Sequence, residues 1–207
     1  MCVWDDTTKK GLFIVFEGVD GAGKTTQAHL LVERLKKSGH DALYLKEPTN
    51  GQWGQKIRHI AMNGRDHVTP EEELQYFIND REEDSKQNIV PALQSGKVVV
   101  MDRYLFSNAA YQGALGFDPG LIFEKNKQFP QPDAVLYLDI EPEDGLKRVN
   151  TRGEANVGFE KIEYLHRVHA VFKGGHPGFS KMIFIDALQT REKIADAIWQ
   201  KILPLLP

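Results

Sequence analysis

The amino-acid sequence predicts an α/β fold, a doubly wound sheet of five parallel strands with helices on both faces. Two observations carry this expectation. Short apolar runs alternate with longer amphipathic ones along the whole chain, which is the pattern of repeated strand and helix units. Each short run is apolar at nearly every position, as a strand covered on both faces must be. Strands are expected at Leu12 to Glu17, Ala42 to Leu45, Lys97 to Met101, Ala134 to Leu138 and Met182 to Ile185. Helices are expected to begin near Lys24, Gly54, Pro70, Phe106, Pro119, Pro142, Phe159 and Thr190. Proline suits a first helical position because that N–H has no intrahelical acceptor, and an acidic first turn complements the helix dipole. Thr69-Pro70-Glu71-Glu72 combines both features with a capping hydroxyl.

The 207 residues suit one domain, 1–207, without a linker or internal repeat. Lys and Arg number 26 against 29 Asp and Glu, for a net charge of −3 and a pI near 6.2. That balance lacks the basic excess of a nucleic-acid coating protein, so no nucleic acid is expected as partner. No apolar run approaches the about 18 residues that cross a bilayer, and Met1 to Lys10 is polar, so no membrane partner and a cytoplasmic location are expected. The single cysteine, Cys2, excludes an intramolecular disulfide and a cysteine metal site. His166 and His169 lie three residues apart with no acid paired to them in sequence, so no metal site is read there.

Gly18-Val19-Asp20-Gly21-Ala22-Gly23-Lys24-Thr25 matches G-x-x-x-x-G-K-[ST] between a predicted strand and a predicted helix. This makes the fold a P-loop doubly wound one. Gly18, Gly21, Ala22 and Gly23 let backbone N–H groups converge on phosphates, at the positive end of the following helix. Lys24 is expected to reach the β- and γ-phosphates, Thr25 to ligate Mg²⁺, and Thr26 to bond the α-phosphate. The cradle implies a nucleoside triphosphate without saying where the γ-phosphoryl goes. Lys97 to Tyr104 ends a second buried strand with Asp102 and Arg103, at the sheet edge where ligands bind. Asp102 is placed to hold Mg²⁺ opposite Thr25, and Arg103 to offer a charged fork to a phosphate. Thr151 to Gly158 is a loop with glycine near both ends, a lid candidate within about residues 148–160.

Asp102-Arg103-Tyr104 with Ser107, Asn108, Ala109, Ala110, Tyr111, Gln112 and Gly113 resembles the D-R-Y-x-x-S-x-x-A-Y-Q-G segment of thymidylate kinases. The likeness covers nearly the whole chain. Phe16 to Gly21 resembles the family's strand and P-loop, and Lys46-Glu47-Pro48 its E-P turn. Gly54 with Ile57-Arg58 is similar to the helix after that turn, Tyr76 to Arg81 to the L-F-x-x-D-R segment, Gly145 to Arg148 to the helix before the lid, and Ile185 to Ala187 to the last strand. The resemblance implies ATP and dTMP as substrates, Mg²⁺ as cofactor, a lid and a homodimer. It implies that Phe77 stacks on the thymine ring and Arg81 bonds its carbonyl edge, that Arg58 and Arg103 grip the acceptor phosphate, and that Asp20 faces the acceptor sugar. Glu47 falls in the substrate-binding turn, while Asn108, Tyr111 and Gln112 match positions lining the nucleoside pocket.

Gly21-Ala22 stands where an arginine would otherwise supply a cation, so by family logic the transition-state charge comes from Arg148 or Arg152. The acidic-Arg-Ile-Glu continuation of the lid reads Asn156-Val157-Gly158-Phe159-Glu160 here. Two other readings predict different acceptors. A deoxynucleoside kinase would need a carboxylate base, Glu47 or Asp102, for a hydroxyl acceptor. A nucleotide-hydrolysing switch would need no acceptor and would leave Phe77 and Arg81 without a role.

Overall fold

A computed structural model describes residues 8–150 and 159–206. Five strands form one all-parallel sheet: β1 (Leu12–Glu17), β2 (Ala42–Lys46), β3 (Val98–Asp102), β4 (Ala134–Asp139) and β5 (Met182–Asp186), in the order β2-β3-β1-β4-β5. β1 and β3 at the centre are buried along their whole length, which explains their lack of polar alternation. Three strands run one residue beyond the predicted end, and β3 is displaced by one residue at each end. Asp102 therefore closes β3 inside the hydrogen-bonded ladder, opposite Phe16 of β1.

The helices are α1 (Lys24–Lys37), α2 (Gln52–Asn63), α3 (Pro70–Asp84), α4 (Val90–Gln94), α5 (Leu105–Gly113), α6 (Pro119–Asn126), α7 (Pro142–Asn150), α8 (Phe159–Lys173) and α9 (Arg191–Ile202). The predicted starts near Gly54 and Phe106 fall two and one residues inside the real helices, and Thr190 caps α9 instead of opening it. The sequence reading missed one stretch. After α3 the chain continues through a π-helical turn, Ser85–Ile89, into α4. Pro91 sits in the first turn of α4, so a chain that looks broken by proline is wound throughout. The capping box at the start of α3 is formed: the Glu72 N–H donates to Thr69 Oγ1 at 3.2 Å and the Thr69 N–H to Glu72 Oε2 at 2.8 Å.

Parallel crossovers are right-handed, so a step from β1 to β2 puts its helix on the opposite face from steps toward β4 and β5. α1 packs on α9 on one face, and α4 packs against β3 on the other. The direction of winding reverses between β1 and β3, which opens a crevice at their carboxyl ends. Among the described residues, no helix is long and apolar enough to cross a membrane.

The core runs through the sheet centre, with Phe13, Ile14 and Val99 fully buried. Ile14→Ala should lower unfolding stability by about 2–5 kcal/mol, and Thr69→Ala at the exposed cap by about 1 kcal/mol, in paired denaturant titrations.

Candidate active site

The loop from β1 to α1 holds the phosphate cradle. Gly23 precedes α1 with φ 97° and Gly21 has φ 79°, conformations open to glycine. Gly21 is constrained a second way: a Cβ there would meet the Gly145 carbonyl oxygen of α7 at 1.9 Å. A side chain at position 21 is therefore excluded by α7. The Lys24 ammonium is buried and donates to the carbonyls of Gly18 at 3.0 Å and Val19 at 2.8 Å. Burial, with Arg103 nearby, lowers its pKa to about 8, so it keeps its charge at neutral pH.

Across the crevice, Thr25 Oγ1 donates to Asp102 Oδ2 at 2.5 Å, and the Tyr44 hydroxyl donates to the same oxygen at 3.1 Å. The other carboxylate oxygen of Asp102 is buried without a hydrogen-bond partner among the described residues. A hydroxyl beside a carboxylate with a spare oxygen is the hard-oxygen donor set that suits Mg²⁺.

Arg103 has φ 69°, the one non-glycine residue in the left-handed region among those described. Its N–H donates to the Phe16 carbonyl at 3.0 Å, so the chain turns sharply off the strand and sends the guanidinium back over the P-loop. There it donates to Asp20 Oδ1 at 2.5 Å, Ser107 Oγ at 2.9 Å and the Tyr111 hydroxyl at 3.1 Å. Glu17, the last residue of β1, secures this corner. Its carboxylate accepts the N–H groups of Tyr104 at 2.9 Å and Ser107 at 3.0 Å and the Ser107 hydroxyl, capping α5 from a different element. Burial raises the Glu17 pKa.

Beyond Arg103 lies a cleft of about 240 Å³ whose walls include Asp20, Glu47, Arg58, Phe77 and Arg81. Asn108, Tyr111 and Gln112 of α5 complete the side nearest Arg103, so all nine positions read as substrate-binding line one space. Phe77 is half-buried and faces this cleft instead of joining the core. Arg58 donates to the Pro48 carbonyl at 2.9 Å. Asn108 donates to Gln112 Oε1 at 2.8 Å, leaving Asn108 Oδ1 as a buried acceptor and Gln112 Nε2 as a buried donor without partners among the described residues.

Arg81 is a buried residue of α3. It is 1% exposed and donates to Glu47 Oε2 at 2.6 Å and Asn126 Oδ1 at 2.5 Å, with its Nε unpartnered among the described residues. Burial outweighs the Arg81 charge and pushes Glu47 up to about 8; burial likewise pushes Asp84 to about 6. Asp80 holds the turn after Glu47 by accepting the Thr49 N–H at 2.9 Å and the Thr49 hydroxyl at 2.5 Å.

A second, shallower pocket lies on the donor side, between Ala22, Thr26, Arg148, Gln189 and Arg191. Arg148 donates to the Ala187 carbonyl at 2.8 Å and opens onto the loop and the start of α9. Arg152, most of the lid candidate and Cys2 lie outside the described residues. Four cleft residues escaped the sequence reading: Ala61, Arg65, Glu73 and Tyr164. Glu73 could have been found, since it precedes Phe77 by one helical turn.

The expectation that His166 and His169 meet no acid is overturned. His166 lies 2.7 Å from Glu143 and His169 lies 3.0 Å from Asp139, because the return from β4 through α7 to α8 brings the carboxylates alongside. Glu141, Glu143 and His166 offer donor atoms within 4.8 Å of one another on the surface.

Arg103 thus lines the cleft and also reaches the P-loop, where it donates to the Gly18 carbonyl and to Asp20. The family model described as Thymidylate kinase matches residues 16–198. This chain belongs to the thymidylate kinase family. It is 44% identical over 188 residues to a probable thymidylate kinase of Archaeoglobus fulgidus, covering 90% of this chain and 92% of that one. It is 43% identical over 197 residues to a thymidylate kinase of Desulfotalea psychrophila, covering 95% and 96%, and 41% identical over 167 residues to one of Leptospira interrogans, covering 80% and 81%. The family's enzymes are nucleoside-monophosphate kinases.

The raised carboxyl groups set a pH dependence. Between pH 4.5 and about 8 the folded chain holds a proton on Glu47 that the unfolded chain has released, so unfolding stability falls as pH rises through this window. Asp84 acts in the same direction between 3.8 and about 6. Glu47→Gln should flatten the upper part of the profile, measured by urea unfolding at pH 5, 6.5 and 8.5.

Proposed function

We propose that this chain transfers the γ-phosphoryl group of ATP to dTMP, giving ADP and dTDP, as a cytoplasmic homodimer whose lid lies within residues 148–160. The observation that carries the reading is the placement of Arg103, which donates to the Gly18 carbonyl of the P-loop and lines a cleft that also contains a second arginine, Arg58, and a half-buried aromatic ring, Phe77. A hydrolytic switch would have no use for that cleft.

The chain's own residues perform the transfer by placement and charge. Backbone N–H groups of Gly21 and Gly23, with Lys24 and Thr26, hold the donor phosphates. Lys24 exchanges its two loop carbonyls for the β- and γ-oxygens. Thr25 and Asp102 would hold Mg²⁺, which supplies charge neutralisation between the donor phosphates when bound. Arg58 and Arg103 take the acceptor phosphate, with Arg103 released from Asp20 by the stronger anion. Asp20, freed of that ion pair, faces the acceptor sugar.

An anionic oxygen of the acceptor phosphate then forms a bond to the γ-phosphorus as the bridging bond to the β-phosphate breaks and ADP leaves. No general base is needed because the attacking oxygen carries no proton to lose. Arg103 and a cation from the lid side, Arg148 or Arg152, offset the crowded negative charge. Phe77 stacks the base, Arg81 offers its edge a hydrogen bond, and the polar pair Asn108 and Gln112 lines the nucleoside. Tyr111, packed beside Asp20 and Arg103, fills the space near the sugar and favours a deoxynucleotide. A deoxynucleoside kinase is disfavoured by the state of Glu47: pushed up to about 8 and bonded to Arg81, it is a poor base at neutral pH.

An ADP-release assay with ATP and Mg²⁺ tests the reading. Release should depend on dTMP and not on thymidine, and Arg103→Ala should lower kcat by about 10²-fold or more with an unchanged thermal midpoint. Sedimentation at micromolar concentration should give twice the 23.5 kDa chain mass.

A further inference from the structure

Glu73, Phe77 and Arg81 recur every fourth residue along α3 and form one stripe down a wall of the cleft. Arg81 is the deep end, locked to Glu47 and Asn126. Phe77 lies between. Glu73 is the outer end, and it is buried, with 4% exposure, although it carries a carboxylate. Its two oxygens accept Arg65 Nε at 2.9 Å and Arg65 Nη2 at 3.2 Å, the fork-on-fork geometry that only a guanidinium supplies.

Arg65 comes from the connection between α2 and α3, where its guanidinium has a further neighbour. The Tyr164 ring of α8 lies 5.9 Å away, centroid to guanidinium carbon, within the range of a cation–π contact. The Tyr164 hydroxyl donates to the Tyr111 carbonyl of α5 at 2.8 Å, and its ring meets the Tyr111 ring edge-on at 6.1 Å. Arg65 thus links α3, α5 and α8 at the outer end of the cleft, and α8 is the helix that follows the lid candidate. The Arg65 side chain is 43% exposed, so the ion pair adds little to stability, while its planar face lines the binding space.

We infer that Arg65, oriented by Glu73, is a positioning residue for the acceptor nucleotide. It holds Tyr164 on the α8 wall, so that a base resting on Phe77 is enclosed on its outer side. The inference rests on the acceptor reading given above. It concerns acceptor binding, not transfer: Arg65 acts through Tyr164 and Glu73 and lies outside the ion-paired group around Arg103. Lysine cannot substitute, since one ammonium cannot bridge both carboxylate oxygens while covering a ring.

Steady-state kinetics separate this from a purely structural role. Arg65→Ala should raise KM for dTMP about tenfold while kcat and KM for ATP stay within about twofold. Glu73→Gln should reproduce the effect, and the double variant should be no worse than Arg65→Ala, because both changes break one unit. Arg65→Lys should fall between Arg65→Ala and wild type, and it keeps a charge beside Glu73 if the alanine variant fails to fold. An unchanged KM for dTMP in both Arg65 variants, a loss confined to kcat, or additive losses in the double variant overturns the inference. Wild-type turnover that ignores dTMP overturns the functional reading and this inference together, whereas normal wild-type turnover with unaffected Arg65 variants overturns this inference alone.

Discussion

The pairing of β1 with β3 is the constraint on which the site depends. Their register sets Phe16 opposite Asp102, so the P-loop leaves one strand where Asp102 and Arg103 leave its neighbour. Residues 77 positions apart in the chain, Thr25 and Asp102, come within 2.5 Å as a result. Glu17 reinforces the pairing at its carboxyl end. A buried carboxylate in an apolar sheet is costly, and here it accepts three donors from the start of α5, which orients the helix carrying Asn108, Tyr111 and Gln112. Both pockets are therefore built out from one sheet edge.

Around that edge, charged groups are held by one another. Arg103 is paired with Asp20, Arg81 with Glu47, Arg65 with Glu73, and Lys24 lies on loop carbonyls. Such contacts leave each cation hydrogen-bonded: Arg103 and Arg65 to carboxylates, Arg81 to Glu47 and Asn126, and Lys24 to loop carbonyls. These contacts also fix the side chains in advance of any ligand. Positioning of this kind supplies catalysis where the reaction asks for little proton chemistry.

The contact between Gly21 and Gly145 gives the departure in the P-loop a steric basis. The two glycines let α7 approach the loop until a Cβ at position 21 would overlap the Gly145 carbonyl. The same approach brings Arg148 of α7 to the edge of the donor pocket. Close packing of α7 on the loop and absence of a side chain at position 21 are thus one structural choice.

Much of the fold was legible in the sequence because its signals are local. Glycine, lysine and threonine at fixed spacing define a phosphate turn, five apolar runs define buried strands, and Thr69 to Glu72 define a helix start. The family likeness added the cleft residues on α3 and α5. What stayed hidden depends on contacts between distant segments. The continuation through Ser85–Ile89 into α4 was obscured by Pro91, whose tolerance there comes from its place in a first turn. Arg65 and Tyr164 carry no motif; they meet only because α3, α5 and α8 converge at one end of the cleft. The burial of Arg81, the raised pKa of Glu47 and the carboxylates beside His166 and His169 likewise follow from desolvation and proximity. By itself the sequence determined the sheet, the phosphate cradle and the class of chemistry. Only the tertiary structure decided which charges face one another, because the strength of an ionic contact depends on its distance and on the water removed around it.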